Sequence, residues 1–340
     1  MSTNTSAGRS PGAKRLPVFA EVDDRSQFRE SFGVSAFLLR HRLADSPLFS
    51  VARLANAAEL LLSSGHGDNF KVNHATHRPG ASFAEMGAKQ KLLTAIDELP
   101  DSDSWIKLSN VSRVDPDYMD VVRTAIHDVE ELSGQPIVSR VTLAGLSVFM
   151  ASPNVVTPYH IDHEANFLCQ ISGHKEIYLY DPNDRELLPS GEIEEFYADN
   201  GTAARYRQDL QSRGRRFQLA PGVAVHHPSL APHWVRNGTE VSISVSIYFC
   251  TRELDRRAHV YQVNHLLRKA GIDPKPAGHS GVLDSLKSGG MQLVSKRRPA
   301  SSTDLLYSGF RRLQSFARRL RAVRSLAHRL VTGPFAGQKK

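Results

Sequence analysis

Residues 157–182 read TPYHIDHEANFLCQISGHKEIYLYDP, and this stretch decides the fold. Two of its runs, NFLCQISG and KEIYLYDP, are rich in β-branched and aromatic residues and are separated by a tight turn at Ser172-Gly173. Alternate side chains of a strand share a face, so His160 and Asp162 point one way and His163 the other. An imidazole and a carboxylate presented together at one ion supply two corners of a two-histidine, one-carboxylate metal site. The third corner must come from a later strand. His233, in PHWVRNG, lies seventy-one residues after Asp162, at the start of the penultimate strand; His226 and His227, on a neighbouring strand, are its competitors.

Working outward, the runs RVTLAGLSVFMAS, FQLAPGVAVHHP, HWVRNG and VSISVSIYFC continue the pattern, punctuated by Gly, Pro, Asn and Asp. Six or more short strands between residues 141 and 250 predict a mainly β chain built on a double-stranded β-helix, or jelly roll, with flanking α-helices. The charged stretch from Arg185 to Arg216 is expected to be a helical or irregular insertion near the mouth of the barrel. Residues 18–140 are expected to form a helical region packed on this core. LANAAELLLSSG ends at Gly65, a second segment runs from Ala81 to Leu99 before Pro100, and a third from Tyr118 to Leu132. Beyond the core, TRELDRRAHVYQVNHLLRKAG predicts a helical extension over 251–272 stopped by Gly271, followed by a linker over 273–303.

The net charge of +8 is unevenly spread. Residues 301–340 hold nine Lys/Arg against the single acid Asp304, which leaves 34 residues of each sign in the first 300. In this tail Leu306, Phe310, Leu313, Phe316, Leu320, Val323, Ala327 and Leu330 recur at three- and four-residue intervals, predicting a basic amphipathic helix over 304–332. Such a helix suits docking on its own body or in a homodimer, then an anionic membrane surface, and less well nucleic acid. Every apolar run is broken by charge too soon for a membrane span. Residues 1–17 read as a flexible leader without the apolar centre of a signal peptide. Cys169 and Cys250 sit in strand-like apolar runs as small buried thiols. The expected location is cytoplasmic, with peripheral attachment at the inner membrane surface as the tail's contribution.

The paired histidine and aspartate on a strand, with a third ligand from a distant strand, match the arrangement that non-haem Fe(II) oxygenases use. Those that consume 2-oxoglutarate also need an inward cation for its distal carboxylate. Lys175 is the candidate, and Thr157 and Asn166 can add hydrogen bonds on the same side.

The segment resembles the JmjC/cupin-like Fe(II)- and 2-oxoglutarate-dependent oxygenase family. The matching elements are Thr157, His160-Ile161-Asp162, Asn166, Gly173-His174-Lys175, Pro221-Gly222 and His233-Trp234-Val235-Arg236-Asn237. Their spacing is similar to that of the asparaginyl-hydroxylase branch, the factor-inhibiting-hypoxia-inducible-factor type. The resemblance implies a cupin-like core in which His160, Asp162 and His233 bind iron and form the catalytic centre, while Thr157, Asn166 and Lys175 hold 2-oxoglutarate. It further implies dioxygen as co-reactant and hydroxylation or demethylation of a protein side chain or small molecule, with release of succinate and carbon dioxide. It covers residues 141–250, extends back to about residue 20, and says nothing of 273–340. One position departs: the branch carries an amide on the last core strand, where this chain has Ser244 and Ser246. Two other readings of the residues are a metal-binding cupin that does without 2-oxoglutarate, and a non-enzymatic ligand-sensing regulator with a basic tail.

Overall fold

A computed structural model describes residues 16–19, 25–66, 69–74, 76–81, 85–86, 96, 98–295 and 306–315. Its frame is the strand-rich half of the chain, which forms β5 (Val141–Ala151), β6 (Val156–His160), β7 (Ala165–Ser172), β8 (Lys175–Leu179), β9 (Arg215–Leu219), β10 (Val223–His227), β11 (His233–Asn237) and β12 (Ser242–Thr251). These eight strands divide between two antiparallel sheets, in the orders β10-β7-β12-β5 and β6-β11-β8-β9. This is the expected jelly roll.

Period-two alternation sorts the side chains into two layers of core. On β12, Ile243, Val245, Ile247 and Phe249 face outward into the largest apolar cluster, while Ser242, Ser244, Ser246 and Tyr248 line the inside. On β8 the order is the same, with Lys175, Ile177 and Leu179 inside. Ile177 and Leu179 join Leu168, Phe217, Leu219, Val225 and Val235 in an apolar plug between the sheets. The interior therefore has an apolar part, formed by this plug, beside a polar part that holds the candidate site.

Helices close both outer faces. Against the larger sheet pack α1 (Arg25–Ser31), α2 (Val51–Ser63) and α3 (Pro116–Ser133). α3 begins with Asp115 as N-cap and Pro116 in its first turn, and ends at Gly134 with φ 69°. Its Asp128 carboxylate accepts the Val18 and Phe19 N–H groups at 2.7 and 3.0 Å and so pins the N-terminal segment. Against the smaller sheet pack α4 (Ser190–Phe196), within the charged insertion, and α5 (Arg252–Lys269). Trp234 stacks on Tyr178 at 4.0 Å and donates to the Tyr180 hydroxyl, so it is a packing residue.

The region before the core is not purely helical. It also contributes β1 (Phe37–Arg40), β2 (Phe70–His74), β3 (Glu85–Met86) and β4 (Ser104–Leu108), which extend the larger sheet to eight strands in the order β1-β10-β7-β12-β5-β4-β2-β3. An exposed sheet edge recruits strands wherever backbone pairing is available, and local periodicity does not reveal that. Most of the helix expected over 81–99 lies outside the described residues, and Glu85–Met86 is strand rather than helix. The linker expected over 273–303 is corrected as well, because α6 (Gly281–Val294) forms within it, capped by the Ser280 hydroxyl. Its two central glycines, Gly289 and Gly290, disguise it in the sequence. Of the tail, residues 306–315 form a helix, α7, with Leu306, Tyr307 and Phe310 buried against the body. Gln262 on α5 donates to the Leu306 carbonyl, and the Tyr307 hydroxyl donates to that of Phe196. The first turns of the tail thus dock on their own chain. Residues 1–15 and 316–340 lie outside the described residues.

The turn that carries the chain from β7 to β8 depends on Gly173, with φ 68°. A Cβ there would lie 2.6 Å from the Val241 carbonyl oxygen, too close for any contact. Gly173→Ala is expected to cost about 2–4 kcal/mol through positive φ and overpacking together. Urea unfolding measures this, and a loss under about 0.5 kcal/mol would show that the turn relaxes freely.

Candidate metal centre and co-substrate pocket

Antiparallel pairing of β6 with β11 sets His160 opposite His233, with ring centroids 4.1 Å apart. Asp162 stands two residues beyond, on the loop that leaves β6. Its backbone carbonyl accepts the Leu230 N–H at 2.8 Å, which ties this loop to the one leading into β11. Ligand atoms of His160, Asp162 and His233 all lie within 4.8 Å of one another, and His233 Nε2 is 3.7 Å from Asp162 Oδ2.

Both imidazoles are held in one tautomer. His160 Nδ1 lies 2.7 Å from the Pro158 carbonyl and His233 Nδ1 2.9 Å from that of Ala231. A carbonyl only accepts, so each Nδ1 bears the proton and each Nε2 carries the lone pair. Burial, followed by repulsion from His160, lowers the His233 pKa to about 4. Burial resists ionisation of Asp162, but His160, His233 and His227 together outweigh it and hold the carboxyl at about 2. At neutral pH the His233 imidazole is neutral beside the Asp162 carboxylate, and a donor set of two imidazoles and one carboxylate fits a first-row dication such as iron(II).

The competing histidines separate. His226 points outward among Phe32, Phe37 and Phe167, donates through Nδ1 to the Asn166 carbonyl, and accepts the Gly33 N–H at Nε2. It is a packed core histidine. His227 points inward, its ring 4.6 Å from that of His233, and its Nδ1 is buried without a hydrogen-bond partner among the described residues. It stands beside the three-residue group without belonging to it.

A cavity of about 270 Å³ opens on this group, with Thr157, His160, Asp162 and Asn166 in its lining. Lys175 is not in that lining; it is 5 % exposed, in the wall of a second cavity of about 660 Å³, and its Nζ donates to Ser244 Oγ at 2.7 Å. Among the described residues no carboxylate pairs with it. Burial alone pulls its pKa down to about 7. Ser246, about 7 Å further along the same face of β12, donates to Asn166 Oδ1 at 2.9 Å. The two serines at the departing positions therefore form a polar row that runs from the buried ammonium to the cavity of His160 and Asp162.

A family model described as the cupin-like domain matches residues 58–254, more than half of the chain. This chain belongs to the cupin-like domain family. No curated protein matches its sequence. Among solved structures, that of Escherichia coli YcfD matches with 14% identity and a TM-score of 0.48, over 84% of this chain and 75% of that one. YcfD described as a ribosomal oxygenase in complex with cobalt and 2-oxoglutarate matches with 14% identity and a TM-score of 0.46, over 80% and 66%. The succinic acid complex of YcfD matches with 15% identity and a TM-score of 0.45, over the same shares.

Several residues of this cupin-like site have no signal in the sequence. His163, directed away from the cavity, lies between the Tyr197 hydroxyl at 2.9 Å and Asp255 Oδ1 at 3.1 Å. This buried clip fixes the residue next to Asp162 to the end of α4 and to α5, partners 34 and 92 residues away. Trp105 and Lys107 reach the cavity from β4, and Asn110 from the turn that follows. Tyr248, which donates to Asn110 Oδ1 at 2.7 Å, was detectable, because it continues the period-two row of Ser244 and Ser246.

The unpaired ammonium makes stability depend on pH. Lys175 titrates near 7 in the native protein and near its ordinary value of about 10.5 when unfolded. Between those values the unfolded chain binds the extra proton, so native stability rises with pH, and the whole penalty is present below about 7. Lys175→Met is expected to raise the urea midpoint of the ligand-free protein at neutral pH. The advantage should shrink by on the order of 1 kcal/mol per pH unit towards pH 10. A difference independent of pH would contradict the unpaired state of this lysine.

Proposed function

We propose that this cupin-like protein is an Fe(II)- and 2-oxoglutarate-dependent oxygenase that hydroxylates or demethylates a prime substrate, a protein side chain or a small molecule. The observation that carries the reading is Lys175, a buried cation with no carboxylate partner among the described residues, on a row of hydroxyls and an amide that leads towards a two-histidine, one-carboxylate group. An isolated charge is costly in an apolar interior, and a dicarboxylate co-substrate supplies the missing partner. A metal-binding cupin that does without a keto acid has no use for such a cation at this depth.

His160, Asp162 and His233 would hold iron(II), leaving coordination positions open for the keto acid and dioxygen. With those groups bound, 2-oxoglutarate is oxidatively decarboxylated to succinate and carbon dioxide, one oxygen atom of dioxygen enters succinate, and the other enters a C–H bond of the substrate. The Pro158 and Ala231 carbonyls keep each Nε2 available for ligation. Lys175, oriented by Ser244, grips the distal carboxylate. Asn166, held by Ser246, and Thr157 position the co-substrate at the cavity wall. The plug of Ile177, Leu179, Phe217 and Val235 keeps water from the inner end of the barrel. Cytoplasm is the proposed location, and both cysteines are buried free thiols, as a reducing compartment allows.

The test is succinate formation from 2-oxoglutarate by purified protein under air with ferrous iron and ascorbate. Turnover is expected in the wild type and only background in His160→Ala and Lys175→Met; full activity in either variant would refute the assignment. Anaerobic co-substrate binding gives an independent reading. Because the bound dicarboxylate needs a protonated Lys175, affinity should be flat below pH 7 and fall about tenfold per unit above it. An affinity constant across that window would remove the lysine from the site.

A further inference from the structure

A second group of metal-ligating side chains backs onto the loop that carries Asp162. His163, Cys250 and Asp255 are all buried, and one ligand atom from each lies within 4.8 Å of the other two. Three separate elements deliver them. His163 follows Asp162 on the loop that leaves β6, and Asp255 sits in the first turn of α5. Cys250 continues the inward row of Ser246 and Tyr248 at the end of β12. The hydrogen bonds of His163 to Tyr197 and Asp255 give no role to the thiol that completes the group.

Thiolate, imidazole and carboxylate are zinc ligands, and bond lengths of about 2.0–2.3 Å put the donors of a tetrahedral site about 3.3–3.8 Å apart. His163 Nε2 and Asp255 Oδ1 are already 3.1 Å apart, so small side-chain rotations close the group on one ion. The tautomer is served as well. The Tyr197 hydroxyl, 2.9 Å from Nδ1, accepts as readily as it donates, so it can hold the ring with the proton on Nδ1 and the lone pair on Nε2. Charge also balances, because zinc(II) with one thiolate and one carboxylate is neutral, the state that a buried site tolerates best. A further donor stands one turn beyond Asp255 on the same face of α5. It is His259, whose Nδ1 is buried without a hydrogen-bond partner among the described residues. Burial dominates its ionisation, and Asp255 and His163 are the charged groups near enough to add to it.

We propose that His163, Cys250 and Asp255 bind a structural zinc(II) ion. Binding forms a zinc–sulfur bond and releases the thiol proton to solvent, while the ring proton of His163 moves from Nε2 to Nδ1. No electrons are exchanged, so no oxidant or reductant is needed. The ion ties the loop of Asp162 to the end of β12 and the start of α5. It is distinct from the group of His160, Asp162 and His233, which offers no sulfur. The inference goes beyond the reaction proposed for the barrel and does not rest on it.

Cobalt(II) is the probe, because a thiolate-to-cobalt charge-transfer band reports sulfur ligation and the barrel group supplies only nitrogen and oxygen. The full chain, refolded with cobalt(II) under anaerobic reducing conditions, is expected to show this band and to lose it when zinc(II) displaces cobalt(II). The band should persist in His160→Ala, which removes a ligand of the barrel group, and vanish in Cys250→Ala. Asp255→Asn should weaken cobalt(II) binding at this site at least about tenfold. A second measurement needs no variant to fold. Zinc-edge X-ray absorption on the zinc-loaded wild type should show sulfur bonded to the metal at about 2.3 Å. No charge-transfer band in the wild type, a band that survives Cys250→Ala, or one lost from folded His160→Ala would overturn the proposal. Zinc bound by nitrogen and oxygen alone would do the same.

Discussion

Everything at the candidate site depends on the antiparallel register of β6 against β11. His160 and His233 meet because they are opposed in that register, and a one-residue slip would turn one ring out of the barrel. The register is held from several sides. Trp234, next to His233, is stacked on Tyr178 outside the sheet, and Leu230 donates to the Asp162 carbonyl at the loop. The clip of His163 with Tyr197 and Asp255 anchors the remaining end. Each contact lies one residue away from a candidate ligand or in a loop bearing one, so packing on the outer face sets geometry on the inner face.

Polarity inside the barrel opposes stability. Ser244, Ser246, Asn166, Lys175 and His227 occupy positions that an apolar side chain could fill, and among the described residues the Lys175 ammonium meets the Ser244 hydroxyl and no carboxylate. Burial disfavours the charge of Lys175, so the fold keeps this group at a cost to its own stability. The apolar plug beside these positions shows that the same strands also present side chains that pack without polar groups.

The helices serve two ends. Those on the larger sheet complete an ordinary core around Leu54, Tyr118 and Phe167. Those on the smaller sheet support the cavity from behind and seat α7, leaving the outer face of α6 uncovered by described residues. That asymmetry separates the candidate site inside the barrel from an exposed apolar helix face outside it.

The jelly roll and the pairing of His160 with Asp162 as candidates were legible because both follow from local rules. Strand periodicity sorts the side chains of the strands between 141 and 250 by face, and the spacing of His160 and Asp162 marked them as a pair, although Asp162 stands on the loop just past the end of β6. Helices with ordinary caps, such as α2, α3 and α5, were legible for the same reason. Long-range partners decided the rest. The four strands before residue 110 exist because the sheet edges offer backbone hydrogen bonds, which leave no mark in their own sequence. α6 forms around two glycines because its Ser288–Met291 side is buried against the body. The choice of His233 over His226 needed β10 and β11 in place, since two adjacent histidines on a strand always face opposite ways and only the sheet says which is inside. That no carboxylate among the described residues meets Lys175 was likewise beyond the sequence, because ion pairing is a property of the fold around a residue and not of its neighbours in the chain.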